Sequence, residues 1–191
     1  MTLFSHSRAS LFSILSALLI GLGSSQAIAQ QSDQAVNTIA SLDVPRYLGT
    51  WYEIAKFPNW FQKKCASNTK AVYTAKPDGN LRVLNSCNTA SGETSEAEGL
   101  ARQIGPKDSP KLEVRFAPEW LTFLPMVWGD YWVIDLDPQY QVAAVSDPRR
   151  EYLWVLSRTP QLDPKVYADL LQRLKQQQFD IQKLELTNQK N

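Results

Sequence analysis

Residues 47–55 read Tyr-Leu-Gly-Thr-Trp-Tyr-Glu-Ile-Ala and lead into the first of a series of strand-like segments. Across residues 47–157 apolar and polar side chains alternate with a period of two, and turn residues interrupt the alternation. Leu112, Val114 and Phe116, for example, are separated by charged residues, which is typical of a strand with one face in a core and the other in water. The predicted strands cover residues 51–56, 70–75, 81–88, 96–104, 111–117, 131–136, 142–146 and 152–157.

A helix signal follows the strands. Asp163 and Pro164 are typical of a helix N-cap and a first turn. Apolar residues then recur at helical spacing, with Lys, Arg and Gln on the remaining face, so one amphipathic helix should pack against the preceding strands. Its apolar residues are Val166, Leu170, Leu171 and Leu174. The apolar residues within 179–186 predict a short closing strand.

Eight consecutive antiparallel strands and one late helix predict an all-β fold. We expect an eight-stranded up-and-down β-barrel with the helix packed outside, since closure removes exposed sheet edges. A β-sandwich remains the alternative at this point. A barrel of eight strands has room inside for side chains or for one small ligand.

Residues 1–29 have the layout of a secretory signal peptide. Arg8 lies in a short polar start, residues 11–22 are apolar, and Ala27-Ile28-Ala29 supplies a small-x-small cleavage site. We therefore expect a signal peptide over residues 1–29 and one domain over residues 30–191, with a retained membrane anchor as the alternative. Because no Cys stands at the cleavage point, the protein should be exported to the periplasm or secreted, soluble rather than lipid-anchored.

The charge and histidine inventories exclude several function classes. The chain has 20 Lys and Arg residues and 19 Asp and Glu residues. Arg8 is the only one of these within residues 1–29, so residues 30–191 hold equal numbers of basic and acidic side chains. Without basic clusters we expect no nucleic-acid partner. The single histidine, His6, lies in the predicted signal, so histidine-based catalysis and metal ligation are not expected after cleavage. We expect neither a metal nor a cofactor.

The chain holds two cysteines, Cys65 and Cys87. An even number of cysteines in an exported chain favours a disulfide bond. A reactive free thiol is the alternative, because Lys63 and Lys64 beside Cys65 could lower its pKa.

Three motifs that occur in order resemble the signatures of the lipocalin family. Residues 47–55 are similar to the first signature, Gly-x-Trp, through Gly49 and Trp51. Residues 129–134 are similar to the second and residues 152–160 to the third. The resemblance is greatest to the branch with bacterial outer-membrane lipocalins, plant temperature-induced lipocalins and apolipoprotein D.

This resemblance implies roles for particular residues. Trp51 and Arg158 should stack at the closed end of the barrel and, with Gly49, form a structural signature. Pocket-facing positions of the apolipoprotein D branch fall on Tyr73, Asn85, Phe116, Tyr131 and Trp154. The alternative is that these aromatic residues only fill the core.

Two segments bear on how the resemblance applies. Cys65 matches a disulfide-forming position of apolipoprotein D, whose partner cysteine lies far along that chain, whereas Cys87 is the only partner available here.

Residues 120–128, from Trp120 to Trp128, are apolar and loop-like. They could line the mouth, touch a membrane peripherally, form a dimer contact or fold back onto the barrel.

The resulting functional hypothesis is a non-enzymatic carrier. It would bind, store or transport small hydrophobic ligands, such as fatty acids or lysophospholipids, in envelope maintenance or a stress response. One alternative is a thiol-dependent isomerase or another lipocalin-type enzyme that acts on a lipid or carotenoid. Another is an interaction protein with a filled barrel. We expect a monomer or a homodimer.

Overall fold

The computed structural model describes residues 35–118, 121 and 124–190. Two α-helices lie within them, α1 (Val44–Tyr47) and α2 (Pro164–Gln176), together with the short 3-10 helices Pro125–Val127 and Ile181–Lys183. No helix of the described residues is long and apolar enough to cross a membrane. The strands are β1 (Gly49–Lys56), β2 (Ser67–Ala75), β3 (Leu81–Asn88), β4 (Thr94–Gln103), β5 (Lys111–Arg115), β6 (Gly129–Leu136), β7 (Val142–Ser146), β8 (Leu153–Ser157) and β9 (Glu185–Leu186). The predicted signal peptide lies outside the described residues.

The first eight strands form a closed antiparallel barrel. Each strand from β2 to β8 pairs with its neighbours in sequence order, and β1 joins β8 to β2. The turns after β2, β4 and β6 therefore lie at the end where β1 begins, which we name the closed end. The connections after β1, β3, β5 and β7 lie at the opposite end, the open end. The predicted up-and-down barrel is confirmed, and the sandwich is excluded.

Side-chain alternation along the strands separates two apolar cores. One core lies inside the barrel and includes Trp51, Leu112 and Leu156. The other lies between the outer face of the sheet and α2, and includes Val155 and Leu170. The neighbours Val155 and Leu156 in β8 thus belong to different cores, as the period of two requires.

Helix α2 begins where the sequence predicts. The side chain of Asp163 accepts hydrogen bonds from the backbone nitrogens of Lys165 and Val166, at 2.8 and 3.1 Å, which caps the helix. Leu170 and Leu174, one turn apart, are fully buried against the barrel. Val166 is 40% exposed, so the packed face begins one turn later than the apolar pattern suggests.

The chain before β1 crosses the closed end, a feature that the sequence did not predict. The backbone nitrogen of Leu42 donates to the carbonyl oxygen of Asp108 at 2.8 Å, and Arg46 Nη2 donates to that of Pro138 at 2.9 Å. These two acceptors lie in the turns after β4 and β6. Helix α1 is therefore held across the barrel opening at this end.

At the open end a seam separates β1 from β2. The two strands pair only over residues 49–52 of β1. Beyond them residues 185–190, which we name the tail, take the place of β2: β9 pairs with the second half of β1. Gln189 Nε2 donates to the carbonyl oxygens of Glu53 and Thr69, both at 2.8 Å, and so joins β1 to β2. The predicted closing strand exists, although β9 itself is only two residues long.

The end of β5 differs from the prediction, which continued the strand to residue 117. The strand ends at Arg115, and Phe116 lies beyond it. Arg115 is buried although its position alternates with the inward residues, and its Nη1 donates to the carbonyl oxygen of Ala117 at 2.9 Å. This hydrogen bond holds the chain as it leaves the sheet.

Candidate ligand-binding site

Arg158 and Trp51 close the barrel at its closed end. The guanidinium carbon of Arg158 lies 3.9 Å from the centroid of a Trp51 ring, and Trp51 is fully buried. The guanidinium nitrogens donate to the carbonyl oxygens of Arg46, Thr50 and Tyr140, at 2.8, 2.9 and 3.2 Å. Burial lowers the pKa of Arg158. Arginine nevertheless stays charged in proteins, so a cation faces the indole at all ordinary pH values.

Gly49 lets the chain turn from α1 into β1 beside this pair. Its φ is +94°, a conformation that residues with a Cβ rarely adopt. A Cβ built on Gly49 would lie 3.4 Å from Nη1 of Arg158. The glycine of the Gly-x-Trp pattern therefore reflects a backbone requirement, at a position that lies directly beside the guanidinium.

Three tyrosine hydroxyls meet inside the barrel. Tyr73 donates to Tyr131 at 2.8 Å, and the hydroxyl oxygens of Tyr131 and Tyr47 are also 2.8 Å apart. The ring of Tyr47 lies 4.8 Å from that of Trp51. Burial raises the pKa of all three tyrosines, that of Tyr73 to about 12, so the hydroxyls are neutral at physiological pH.

This tyrosine cluster has one hydrogen to spare. Three hydroxyls share two hydrogen bonds, and among the described residues no further acceptor contacts them. The sequence predicted Tyr73 and Tyr131 as ligand contacts. Both side chains face the lumen, but their hydroxyls bind each other, so a ligand would meet mainly their rings and the one spare hydrogen.

Trp154, Gln62 and Glu53 form a second polar group, nearer the open end. Trp154 Nε1 donates to Gln62 Oε1 at 3.0 Å, and Gln62 Nε2 donates to Glu53 Oε2 at 2.7 Å. Trp154 packs against the interior core and is only partly buried, whereas Glu53 is 3% exposed. Burial raises the pKa of Glu53, while hydrogen bonds from Thr187 and Gln62 and the charge of Lys56 act in the opposite direction.

The loop that carries Gln62 covers the open end. We name residues 57–66, which connect β1 to β2, the lid loop. Asn59 Oδ1 accepts from the backbone nitrogen of Gln62 at 2.9 Å, and Asn59 Nδ2 donates to Gln62 Oε1 at 2.7 Å. The ring of Phe61 lies 6.3 Å from that of Trp154. The lid loop is therefore held by contacts at its centre rather than only at its ends.

A disulfide bond between Cys65 and Cys87 ties the end of the lid loop to β3. These are the two cysteines of the chain. The sulfur atoms that the thiol-dependent alternative needs are thus both in the bond, and the described residues contain no free cysteine.

Asn85 and Phe116 lie apart from these groups. Asn85 is half-buried in β3 and lies two positions from each of the buried residues Val83 and Cys87, so it shares their inward face. Phe116 is 43% exposed at the open end. A Cβ on Gly99 in β4 would lie 2.7 Å from the Phe116 ring, so the ring lies directly on the β4 backbone.

The apolar segment 120–128 is described only in part. Trp120 lies outside the described residues. The guanidinium carbon of Arg102, on the outer face of β4, lies 4.0 Å from the centroid of a Trp128 ring. Met126 is 85% exposed. The end of the segment therefore folds back onto the outer wall, as one of the alternatives supposed, while Met126 faces solvent.

Among the cavities of the described residues, two lie at opposite ends of the barrel. One, of about 470 Å³, opens beside the lid loop. It is lined by Lys56, Pro58, Asn59, Trp60, Gln62, Lys63, Cys65 and Glu185. The other, of about 390 Å³, lies at the closed end around Arg158 and the start of α2. Gln62 connects the first cavity with Glu53, because it lines the one and donates to the other.

Comparison with known families shows the family to which the chain belongs. The model of the lipocalin-like domain matches residues 42–189, from the segment before α1 to the tail. The chain belongs to the lipocalin family. The family resemblance of the three sequence motifs is confirmed.

Curated relatives of this lipocalin come from plants, bacteria and mammals. It is 44% identical to temperature-induced lipocalin-1 of Arabidopsis thaliana, over 81% of this chain and 83% of the relative. It is 38% identical to outer membrane lipoprotein Blc of Escherichia coli, over 78% of this chain and 81% of the relative. It is 31% identical to apolipoprotein D of Mus musculus, over 79% of each chain.

Solved structures agree on the fold. The cockroach allergen Per a 4 superposes with a TM-score of 0.60 at 20% identity, over 82% of this chain and 93% of the allergen. Insecticyanin from the tobacco hornworm Manduca sexta superposes with a TM-score of 0.60 at 20% identity, over 80% of this chain and 84% of insecticyanin.

Sequence reasoning missed Glu53, Gln62 and Tyr47 as lumen residues of this lipocalin. A signal for Glu53 was present, because it stands two residues after Trp51 in the first motif and so shares its face. Gln62 lies in a loop, where side-chain direction follows from no periodicity. Tyr47 belongs to α1, which is too short to give a helical pattern.

Proposed function

We propose that this lipocalin binds a small hydrophobic ligand, a fatty acid, lysophospholipid or similar lipid, inside its barrel and stores or transports it without chemical change. The observation that carries the proposal is the asymmetry of the barrel ends. Arg158 and Trp51 close one end with buried stacking and three hydrogen bonds. At the other end, one loop covers the half-buried Trp154.

The lumen walls support an apolar ligand. Aromatic and aliphatic side chains of β1, β2, β6 and β8 face inward, and their polar groups are few. Burial of an acyl chain contributes about 0.8 kcal/mol per CH₂ group, so a long chain supplies ample affinity. One relative is named apolipoprotein D, and this name agrees with a lipid ligand.

Trp154→Ala tests the binding site. Removal of the indole should weaken binding of a lysophospholipid about tenfold, the effect expected of an aromatic contact at the centre of a site, and leave the circular dichroism spectrum unchanged. Binding is measured by displacement of a fluorescent fatty-acid probe. Trp128→Ala on the outer wall is the matched control and should bind as the wild type does. Equal affinities of the two variants would contradict the proposal.

The ligand class is tested without any mutation. Mass spectrometry of lipids that remain bound to protein purified under native conditions should show acyl-chain lipids in a fixed ratio to the protein. If no lipid is retained and no added lipid displaces the probe, the barrel is filled by its own side chains and the carrier proposal fails.

We propose in addition that residues 1–29 are removed during export and that the protein works in the periplasm or outside the cell, without a lipid anchor, in membrane maintenance or stress tolerance. The Cys65–Cys87 bond supports an oxidising compartment. Intact-mass measurement of the exported protein should give a chain that begins at Gln30.

The same sample tests two further properties. Analytical ultracentrifugation distinguishes a monomer from a homodimer, and vesicle flotation tests membrane contact by residues 120–128.

A further inference from the structure

Glu53 places a carboxyl group inside the barrel, on the open-end side of Trp51. Both residues lie in β1 two positions apart and so share a face. Glu53 stands opposite Leu156 of β8, which belongs to the interior core. The residue is 3% exposed, so the barrel wall, the lid loop and the tail surround this carboxyl group rather than bulk water.

Neutral groups hold this carboxyl group. Gln62 Nε2 donates to Oε2 at 2.7 Å, and Thr187 Oγ1 in the tail donates to Oε1 at 2.5 Å. The nearby Lys56 is paired with Glu185 instead, at 2.9 Å. Within the described residues, Glu53 takes part in no ion pair. A carboxylate has about four acceptor sites, so the two hydrogen bonds from Gln62 and Thr187 leave about two of them without a donor.

Gln62 lies between Glu53 and the cavity of about 470 Å³ beside the lid loop. It lines that cavity and binds Glu53 and Trp154 at the same time. A ligand headgroup in the cavity lies beside Gln62, and it also faces Lys63 and the Lys56–Glu185 ion pair, which line the same cavity. Once the Gln62 amide is displaced, the headgroup faces the Glu53 carboxyl group.

We propose that Glu53 selects ligands by headgroup: it favours lipids whose head is a cation or a neutral hydrogen-bond donor, such as an amine or an alcohol, over lipids with a free carboxylate. The inference rests on the proposed carrier function and narrows its ligand class. An ammonium or hydroxyl group replaces the Gln62 donor, whereas a second carboxylate brings a like charge into a poorly solvated site and has no hydrogen to donate.

Three ligands with the same fourteen-carbon chain test the proposal: tetradecylamine, tetradecanol and myristate. Each competes with a fluorescent probe at about pH 8, the amine and myristate below their critical micelle concentrations and the alcohol below its solubility limit. The wild type should bind the amine at least tenfold more tightly than myristate. The amine and myristate have the same chain and each carries one charge that loses water on binding. The ratio of their affinities therefore reports whether the electrostatic potential at the site favours a cation or an anion.

Glu53→Gln is the decisive variant, because it keeps the shape and the hydrogen-bonding capacity of the side chain without its charge. Its amine-to-myristate ratio should fall to within about threefold of unity. Glu98→Gln removes an exposed carboxylate from the outer face of β4 and should keep the wild-type ratio. If Glu53→Gln does not fold, the wild-type ratio alone decides.

The outcomes separate the two proposals. Equal binding of amine and myristate by the wild type, or the same ratio in wild type and Glu53→Gln, overturns headgroup selection and leaves the carrier function standing. Displacement of the probe by none of the three ligands overturns both.

Discussion

Arg158 joins three separate parts of the chain. Its guanidinium donates to carbonyl oxygens in α1, in β1 and in the turn after β6, and it stacks on Trp51. Arg158→Ala removes all four interactions, so the free energy of unfolding should fall by about 2 kcal/mol or more. Urea denaturation followed by tryptophan fluorescence measures the loss.

Arg82→Ala is the matched control for Arg158→Ala. Arg82 forms one exposed ion pair with Glu98, at 2.6 Å, and solvent screens such a pair, so its loss should lower the free energy of unfolding much less than the loss of Arg158. Equal unfolding free energies for the two variants would show that the closed end does not depend on Arg158.

Glu53 should make the stability of the protein depend on pH. Burial raises its pKa in the folded state, so the folded protein holds this proton at pH values where the unfolded chain has released it. The associated stability is fully present below the pKa of the unfolded state and is lost as the pH rises through the raised pKa. Glu53→Gln should show a smaller decrease than the wild type.

The measurement is a set of urea titrations between about pH 4 and about pH 8. Glu98→Gln again serves as the control, because its carboxylate is exposed and its pKa is lowered by Arg82, so its removal leaves the effect of Glu53 in place. Parallel pH profiles for the wild type and Glu53→Gln would contradict the prediction.

At the scale of elements, the lid loop is covalently tied to the barrel. The Cys65–Cys87 bond spans 22 positions, and a bond of this span is expected to stabilise the fold by about 3 kcal/mol. The double variant Cys65→Ser, Cys87→Ser should lose about this amount in urea denaturation. It should also release ligand faster, because the lid loop then has no covalent tie to β3 and is held only by hydrogen bonds and ring contacts, such as those of Gln62 and Phe61.

Stopped-flow dilution of a bound fluorescent probe measures this release. Treatment of the wild type with a reductant should reproduce the behaviour of the double variant, and the double variant itself should not respond to the reductant. An unchanged release rate would mean that lid opening does not limit exchange.

The sequence predicted elements wherever burial follows a simple period. Strands β3 and β7 have their predicted bounds, and the Asp163 cap begins α2 as expected. The predicted end of β5 was wrong. The segment after the strand leaves the sheet and buries Arg115, a residue that the alternation places on the outer face. Helix α1 was missed because four residues, held by contacts across the closed end, carry no periodic signal.

At the scale of the whole molecule, the motifs predicted the barrel and the pair Trp51 and Arg158, whose side chains the fold brings together from distant positions. The lumen could be predicted only in part. Alternation places Tyr73 and Trp154 inward, but hydrogen bonds between distant residues decide what each side chain offers a ligand. Tyr131 binds two other tyrosines, and Gln62 reaches Glu53 from a loop.

The tail completes the barrel wall. Gln189 joins β1 to β2, and Thr187 binds the Glu53 carboxyl group. A chain that ends at Leu184 should therefore expose the backbone edges of the seam and be less stable, with stronger binding of the dye ANS than the full chain. The single variant Gln189→Ala should show a smaller change in the same direction. Equal dye binding by all three proteins would mean that β1 and β2 close the seam unaided.

The position of the tail in the chain also sets an order for folding. The second half of β1 is synthesised early, yet its partner Glu185 lies 129 positions after Lys56. While the polypeptide is still emerging from the ribosome, this part of β1 has no partner on one side. The barrel wall therefore cannot be completed until residues 185–190 have been made. Until then the chain is incompletely folded, which is the state that an export pathway for unfolded proteins accepts.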